Sequence, residues 1–252
     1  MSSKVSYAGN AHYGDVPVDV VRQKTARTAT AGREQASAPY MELGFSRLLL
    51  IFTLGSVLGL VIETVYYAVV FGGYQSRAGL VWGPFSPLYG FGAVVLTVML
   101  NRVWHKNGIV IFLFAMVVGT AVEYLTSWGL QTLFGAVAWD YSGTFGNIQG
   151  RVNLFFALMW GVLGFLWARL VMPAMKKGFG KISWDGLLLK AFSIVLALFL
   201  ATDGIVTVQA FGRESQRAQG LPATTKVESF LDEEFPSTWM DARFENMSFL
   251  TQ

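Results

Sequence analysis

The chain has 252 residues, of which 53% are hydrophobic and 14% charged, with a net charge of +3 and no cysteine. Soluble domains carry about 25% charged residues, so this composition excludes an ordinary soluble domain and favours a membrane protein. It also excludes disulfides and thiolate metal sites, and no basic stripe with interleaved aromatic residues points to nucleic acid. His12 and His105 lie in the N-terminal arm and a turn, so we predict no metal and no cofactor.

The first segment of the chain is polar. Residues 1–42 are rich in Ala, Ser, Thr, Gly and Arg and contain no apolar core of a signal peptide. Such a segment cannot bury enough apolar surface to fold alone. We predict a disordered cytoplasmic arm.

Five long apolar stretches follow, and each approaches the ~20 residues needed to cross ~30 Å of hydrocarbon. They indicate an all-α fold, a polytopic membrane helical bundle with about five transmembrane helices. We predict one transmembrane domain over residues 43–210 and an extramembrane C-terminal tail over residues 211–252. The predicted spans are Leu43–Phe71, Phe85–Trp104, Ile109–Phe134, Val152–Val171 and Leu187–Ala210.

The distribution of Lys and Arg predicts the orientation of the spans in the cell membrane. Cytoplasmic loops of membrane proteins are enriched in these residues. Most of them fall in the arm and in the loops after the second and fourth spans, so we expect the N-terminus inside and the C-terminus outside. The residues of those two loops are Arg102, Lys106, Arg169, Lys176, Lys177 and Lys181.

Two of the spans carry a glutamate, Glu63 and Glu123, each preceded four residues earlier by a glycine, Gly59 and Gly119. A carboxylate at the centre of a lipid-facing helix costs about 2.5 kcal/mol or more, so both should face protein, water or a partner charge. We expect Arg77 and Arg151, from the external segments, to be those partners. The shared pattern also raises the alternatives of an internal duplication and of glycines that merely let helices approach.

Both external segments are unusual. The first, Ser76–Gly92, contains Pro84 and Pro87, which fix backbone angles and remove hydrogen-bond donors. We predict a kinked or re-entrant segment whose free carbonyls line a cavity, which is allowed at membrane depth when protein covers it. The second, Ala138–Val152, supplies many polar groups beside Trp139.

The order of these motifs resembles the ABC-transporter permease family of the CmpB type over about residues 54–166. The motifs are Gly-x-x-x-Glu, Arg-x-Gly-x-x-x-Gly-Pro-x-x-Pro-x-Tyr-Gly, a second intramembrane Glu, Trp-Asp-Tyr-Ser and Asn-Ile-x-Gly-Arg. The chain departs from the family pattern at Gln149, where asparagine is usual. The substrate-binding residues that the resemblance and the motifs together suggest are Glu63, Arg77, Tyr89, Glu123, Asp140, Tyr141, Asn147 and Arg151.

We therefore predict a permease-like protein that binds a small polar or amphiphilic solute in an external polar cavity, with the arginines attracting an anionic group. The chain has no Gly-x-x-x-x-Gly-Lys-Ser/Thr phosphate loop, so a transporter of this kind needs a separate ATPase subunit. Two alternatives stay open: a membrane-embedded enzyme acting on a lipid or lipid-linked substrate, which we favour less, and a structural membrane scaffold.

Overall fold

The computed structural model describes residues 39–249 and, ahead of them, Gln23 alone, so nearly all of the predicted arm lies outside the described residues. The described helices, which we number in chain order, are α1 Phe45–Phe71, α2 Pro87–Val103, α3 Gly108–Phe134, α4 Leu154–Leu166, α5 Met172–Phe179, α6 Leu187–Ala218, α7 Lys226–Glu234 and α8 Ser237–Arg243. A π-helical turn, Trp167–Val171, joins α4 to α5. Two strands, β1 Ala136–Val137 and β2 Ser248–Phe249, pair antiparallel.

The predicted class of an all-α, multi-pass membrane bundle is confirmed. Four helical stretches are long and apolar enough to cross a membrane, and the shorter apolar helix α2 accompanies them. The helices pack first as two antiparallel hairpins, α1 with α2 and α3 with α4. The four long stretches are Phe45–Phe71, Gly108–Leu133, Leu154–Phe179 and Leu187–Ala218.

The second predicted span is shorter than expected because the segment before it turns back into the bundle. α2 begins only at Pro87 and has 17 residues. Just before it, the amide of Ser86 donates to the carbonyl of Ser56, 3.3 Å away, and Ser56 lies 15 residues before the end of α1. At 1.5 Å per residue this contact lies about 22 Å along the helix from Phe71. Residues 72–86 therefore form a re-entrant segment, as predicted from Pro84 and Pro87.

Side chains of α6 accept hydrogen bonds from backbone amides of this re-entrant segment. The amide of Trp82 donates to Oδ1 of Asp203 over 3.1 Å, and the amide of Val81 donates to Oγ1 of Thr207 over 2.9 Å. Asp203 is completely buried and Thr207 nearly so. Because an unpaired amide in an apolar setting is costly, these two side chains allow irregular backbone at this depth.

The C-terminal residues, which the sequence predicts as an extramembrane tail, form a compact cap. Residues 221–249, which we call the cap, pack on the end of α6, which continues beyond the predicted boundary at residue 210. Asp232 joins the cap to α6, because its carboxylate accepts hydrogen bonds from Arg213 over 2.7 Å and from Arg217 over 2.6 Å. These charges make the last turns of α6 polar without ending the helix. The apolar side of the contact comprises Ala210, Phe211, Leu231, Phe235, Met240 and Phe244.

The cap also packs against the first external segment. Nε of Arg243 donates to the carbonyl of Leu80 over 3.0 Å, and Arg243 also binds the carbonyl of Gly83. In return, the hydroxyl of Ser76 donates to the carbonyl of Arg243 over 2.7 Å. The pairing of β2 with β1 attaches the same cap to the end of α3. The cap thus links the two hairpins at one end of the bundle.

The opposite end, which we call the basic end, holds the loops with Lys and Arg. Asn101 at the end of α2 accepts from the amide of Met41 and donates to its carbonyl, both over 2.9 Å. The ammonium of Lys176 lies 4.3 Å from the ring centre of Tyr40. Arg169 donates to the carbonyl of Lys106 over 3.0 Å. These contacts bring the described start of the chain and both basic loops together.

We expect Asp203→Ala to lower the stability of the purified protein by about 1–3 kcal/mol, because it removes the completely buried acceptor of the Trp82 amide. Asp203→Asn keeps an oxygen at that position and should cost much less. The measurement is thermal unfolding in detergent, monitored by tryptophan fluorescence. Equal losses in the two variants would show that the carboxylate does not act through this hydrogen bond.

The cap should remain attached in acid until Asp232 is protonated. Hydrogen bonds from Arg213 and then Arg217 lower the pKa of Asp232 to about 2. A depressed pKa means that the stabilisation is present above the unfolded value, near 3.8, and is lost as the pH falls through about 2. We expect pepsin to leave the cap intact at pH 4 and to cut it at pH 2. Asp232→Asn should be cut at both pH values, whereas Glu233→Gln, at an exposed neighbour, should behave as wild type.

Candidate functional site

A cavity of about 470 Å³ lies between the two hairpins at the cap end. Residues of α1, the re-entrant segment and α2 form one side, and residues of α3, the second external segment and α4 form the other. Asn246 and Met247 of the cap contribute to its wall. Pockets of about 300–1,000 Å³ typically hold small organic ligands. Both intramembrane glutamates, the partly buried Glu63 and the buried Glu123, line this cavity.

Glu63 is held by a cation and a phenol. Nη1 of Arg77 lies 3.4 Å from its Oε1, which is the ion pair that the sequence predicted. The hydroxyl of Tyr89, at the start of α2, also interacts with the carboxylate of Glu63. The guanidinium of Arg77 packs over the ring of Tyr67, 4.4 Å from its centre. Arg77 therefore reaches back from the re-entrant segment to the last turns of α1.

Glu123 is held differently, by two uncharged donors. Nε1 of Trp160 donates to Oε2 over 2.9 Å, and the hydroxyl of Tyr141 contacts Oε1 over 3.2 Å. Only 4% of Glu123 is exposed. Among residues 39–249 no Lys, Arg or His forms an ion pair with it. A buried carboxylate without a counter-charge is thus the main electrostatic feature of the cavity.

Tyr141 connects this carboxylate to an aromatic wall. Its ring stacks on Phe156 at 4.9 Å between centres and on Trp139 at 6.5 Å. Burial, and then the charge of Glu123, raise the pKa of Tyr141, so its hydroxyl stays protonated and can donate. Ten of the 26 residues that line the cavity are aromatic.

The two glutamate sites repeat the same geometry. A Cβ on Gly59 would lie 2.2 Å from the side chain of Tyr89, and one on Gly119 would lie 2.4 Å from Trp160. In each hairpin, therefore, a glycine four residues before the glutamate makes room for the ring that binds it. The residue numbers of Glu63 and Glu123 differ by 60, and those of Tyr89 and Trp160 differ by 71.

Two further contacts follow the same offsets of 60 and 71. They are Phe52 with Gly90 and Gly55 with Ala93 in the first hairpin, and Phe112 with Gly161 and Ala115 with Gly164 in the second. Three helix–helix contacts in the first hairpin therefore have an equivalent in the second, at the same residue offsets. The hairpins thus share their packing and not only a short sequence motif. The recurring Gly-x-x-x-Glu pattern marks a repeated structural unit.

The structure places three of the eight predicted site residues away from the cavity wall. Arg151 does not pair with Glu123 as expected; its guanidinium lies 5.9 Å from the ring centre of Tyr124, and Nη1 is 3.4 Å from Oγ of Ser127. The donors of Trp160 and Tyr141 occupy the glutamate instead. The other two residues outside the wall are Asp140 and Asn147.

Asp140 and Asn147 shape the loop that positions Tyr141. Oδ1 of Asp140 accepts from the amide and the hydroxyl of Ser142, and these bonds lower the pKa of Asp140. The side chain of Asn147 donates to the carbonyls of Ser142 and Thr144 and accepts from the amide of Gly150. Glu63, Arg77, Tyr89, Glu123 and Tyr141 line the cavity.

Trp160, which binds Glu123 directly, was not among the predicted site residues, and neither were Phe156 and the cap residues Asn246 and Met247. A signal for Trp160 did exist. This tryptophan lies inside an apolar span rather than at its end, and a buried indole N–H usually needs an acceptor. The positions of the cap residues carried no comparable signal, because they depend on how the cap folds back.

Comparison with known proteins gives one match. The family model described as "Putative ABC-transporter type IV" matches residues 50–208, which include both hairpins except the first five residues of α1, and most of α6. Neither the curated proteins nor the solved structures provide a match.

We expect Gly119→Ala to destabilise the protein and to displace Trp160 from Glu123, because the new methyl group would overlap the indole ring. Overpacking of this kind typically costs about 1–3 kcal/mol. Gly129→Ala, on the same helix, is a matched control, since nothing lies within 4 Å of its added Cβ. Thermal unfolding and tryptophan emission would be measured for both. A normal emission spectrum and stability for Gly119→Ala would contradict the close packing.

Proposed function

The chain belongs to the ABC-transporter type IV family, and we propose that it is the membrane-spanning permease subunit of such a transporter, binding a small solute in the cavity between its hairpins. The observation that carries this proposal is the cavity itself. It lies between two structural repeats and contains two carboxylates, the partly buried Glu63 and the buried Glu123. Binding at the interface of repeats, with ionisable residues inside the membrane, is typical of transporters.

The distribution of charge supports an orientation for this transporter. Around the loops that join the spans, six Lys and Arg residues lie at the basic end and two, Arg77 and Arg151, at the cap end, so the basic end faces the cytosol by the positive-inside rule. The cap and the mouth of the cavity then face outward. In this orientation the solute reaches the cavity from the external side or leaves it there.

The basic end also offers a docking element for a separate ATPase subunit. The continuous stretch Leu154–Phe179 has 26 residues, or about 39 Å of helix, which exceeds the ~30 Å of hydrocarbon. Its last part, α5, therefore projects at the basic end with Lys176 and Lys177 exposed. The loop after it adds the exposed Lys181. This projecting cationic segment is the surface that we assign to the ATPase.

The test is affinity purification of the tagged protein from its own host in mild detergent, with ATP hydrolysis and protein composition measured. We expect a polypeptide with a phosphate-loop motif to co-purify and the complex to hydrolyse ATP. Reversing charge with Lys177→Glu and Lys181→Glu should reduce the amount of ATPase recovered at least about fivefold, because the docking surface loses its cationic character.

Lys226→Glu is the matched control, because Lys226 is an exposed lysine in the cap, at the opposite end. It should leave the recovery of ATPase unchanged. Purification of the wild-type protein in normal amounts without any phosphate-loop ATPase would contradict the proposed role. Equal losses in all three variants would contradict docking at the basic end.

A further inference from the structure

We infer that the solute is a lipophilic organic cation, an inference that rests on the proposed function and specifies its substrate class. The cavity combines an excess of negative charge with an unusually aromatic wall. Each property favours a positively charged ligand that has an apolar body.

The charges that line the cavity leave one negative charge unbalanced. They are Glu63, Arg77 and Glu123 in the described part of the chain. Arg77 is paired with Glu63 at 3.4 Å, so these two neutralise each other. Glu123 receives only the neutral donors of Trp160 and Tyr141. Since the indole N–H can only donate, Oε2 of Glu123 acts as its acceptor, and the ionised form of Glu123 has no ion-pair partner among the described residues.

The aromatic wall of the cavity also favours a positively charged ligand. Ten of 26 lining residues are aromatic, compared with 15% of the whole chain. The faces of aromatic rings attract cations, by about 0.5–2 kcal/mol per ring depending on desolvation. The cavity wall already contains one such contact, that of Arg77 with Tyr67. Around Glu123 the rings of Tyr141 and Phe156 provide a comparable surface.

An anionic solute fits this arrangement poorly, contrary to the expectation from the sequence. The expectation relied on two arginines, but Arg151 lies outside the cavity wall beside Tyr124 and Ser127. The charge of Arg77 is already engaged by Glu63. An anion would have to break that ion pair while approaching the uncompensated Glu123.

The experiment compares two ions of nearly the same shape and opposite charge. Labelled tetraphenylphosphonium and tetraphenylborate would each be measured alone by equilibrium dialysis against the protein in lipid nanodiscs, with empty nanodiscs as background. We expect saturable binding of the phosphonium ion and none of the borate ion. This comparison needs no variant, so it does not depend on how a substitution affects folding.

Two substitutions then locate the binding. Glu123→Gln keeps an oxygen for Trp160 and should weaken phosphonium binding about tenfold or more, because the unbalanced charge is removed. Phe156→Leu keeps every charge and should weaken binding about threefold through the lost ring face. The controls are Asp185→Asn, an exposed acid at the basic end, and Phe145→Leu, an exposed ring outside the cavity. Both should bind as wild type.

Equal binding of the two ions, or binding that Glu123→Gln leaves unchanged, would overturn the inference. Saturable binding of neither ion would overturn it as well. The proposed function would stand or fall separately, because recovery of the ATPase at the basic end does not depend on the charge of the solute.

Discussion

A carboxylate inside the bilayer has to be met by hydrogen-bond donors, and this requirement organises both hairpins. In each, one partner of the glutamate comes from the external segment and one from the returning helix, while a glycine one turn before the glutamate makes room for the ring from that helix. The two sets are Arg77 and Tyr89 around Glu63, and Tyr141 and Trp160 around Glu123. Since a buried charge without donors would cost several kcal/mol, the packing of each hairpin and its polar site depend on each other.

The two repeats differ in one respect, which determines the net charge of the cavity. The first uses a cationic donor and the second a phenolic one, so only the first cancels the charge of its glutamate. Polar residues around the cavity hold both of these donors in place. Asp140 and Asn147 hold the loop that presents Tyr141, and Asp203 holds the re-entrant segment that presents Arg77. Polar residues outside the cavity thus act on it by positioning the donors.

Much of the architecture could be predicted from the sequence, because spans, re-entrant prolines and buried acids leave local signals. The pairing of Arg77 with Glu63 followed from the need to compensate a charge. The same reasoning was wrong for Arg151, since it ignored that an indole and a phenol can satisfy a carboxylate. The folding of the cap over the cavity depends on contacts distant in sequence, such as that of Arg243 with Leu80, which no local pattern reveals.

The cap's attachments are unequal, and this has a mechanical consequence. Arg243 and Ser76 join it to the first hairpin, and Asp232 joins it to α6, which also holds the re-entrant segment through Asp203. These parts share hydrogen bonds along their length and should move as one body. The second hairpin is joined to the cap by the short ladder between β1 and β2 and by Leu130, which packs against the apolar cluster of the cap. Separation of the hairpins at this end would begin by breaking that ladder, leaving the cap on the α1 side.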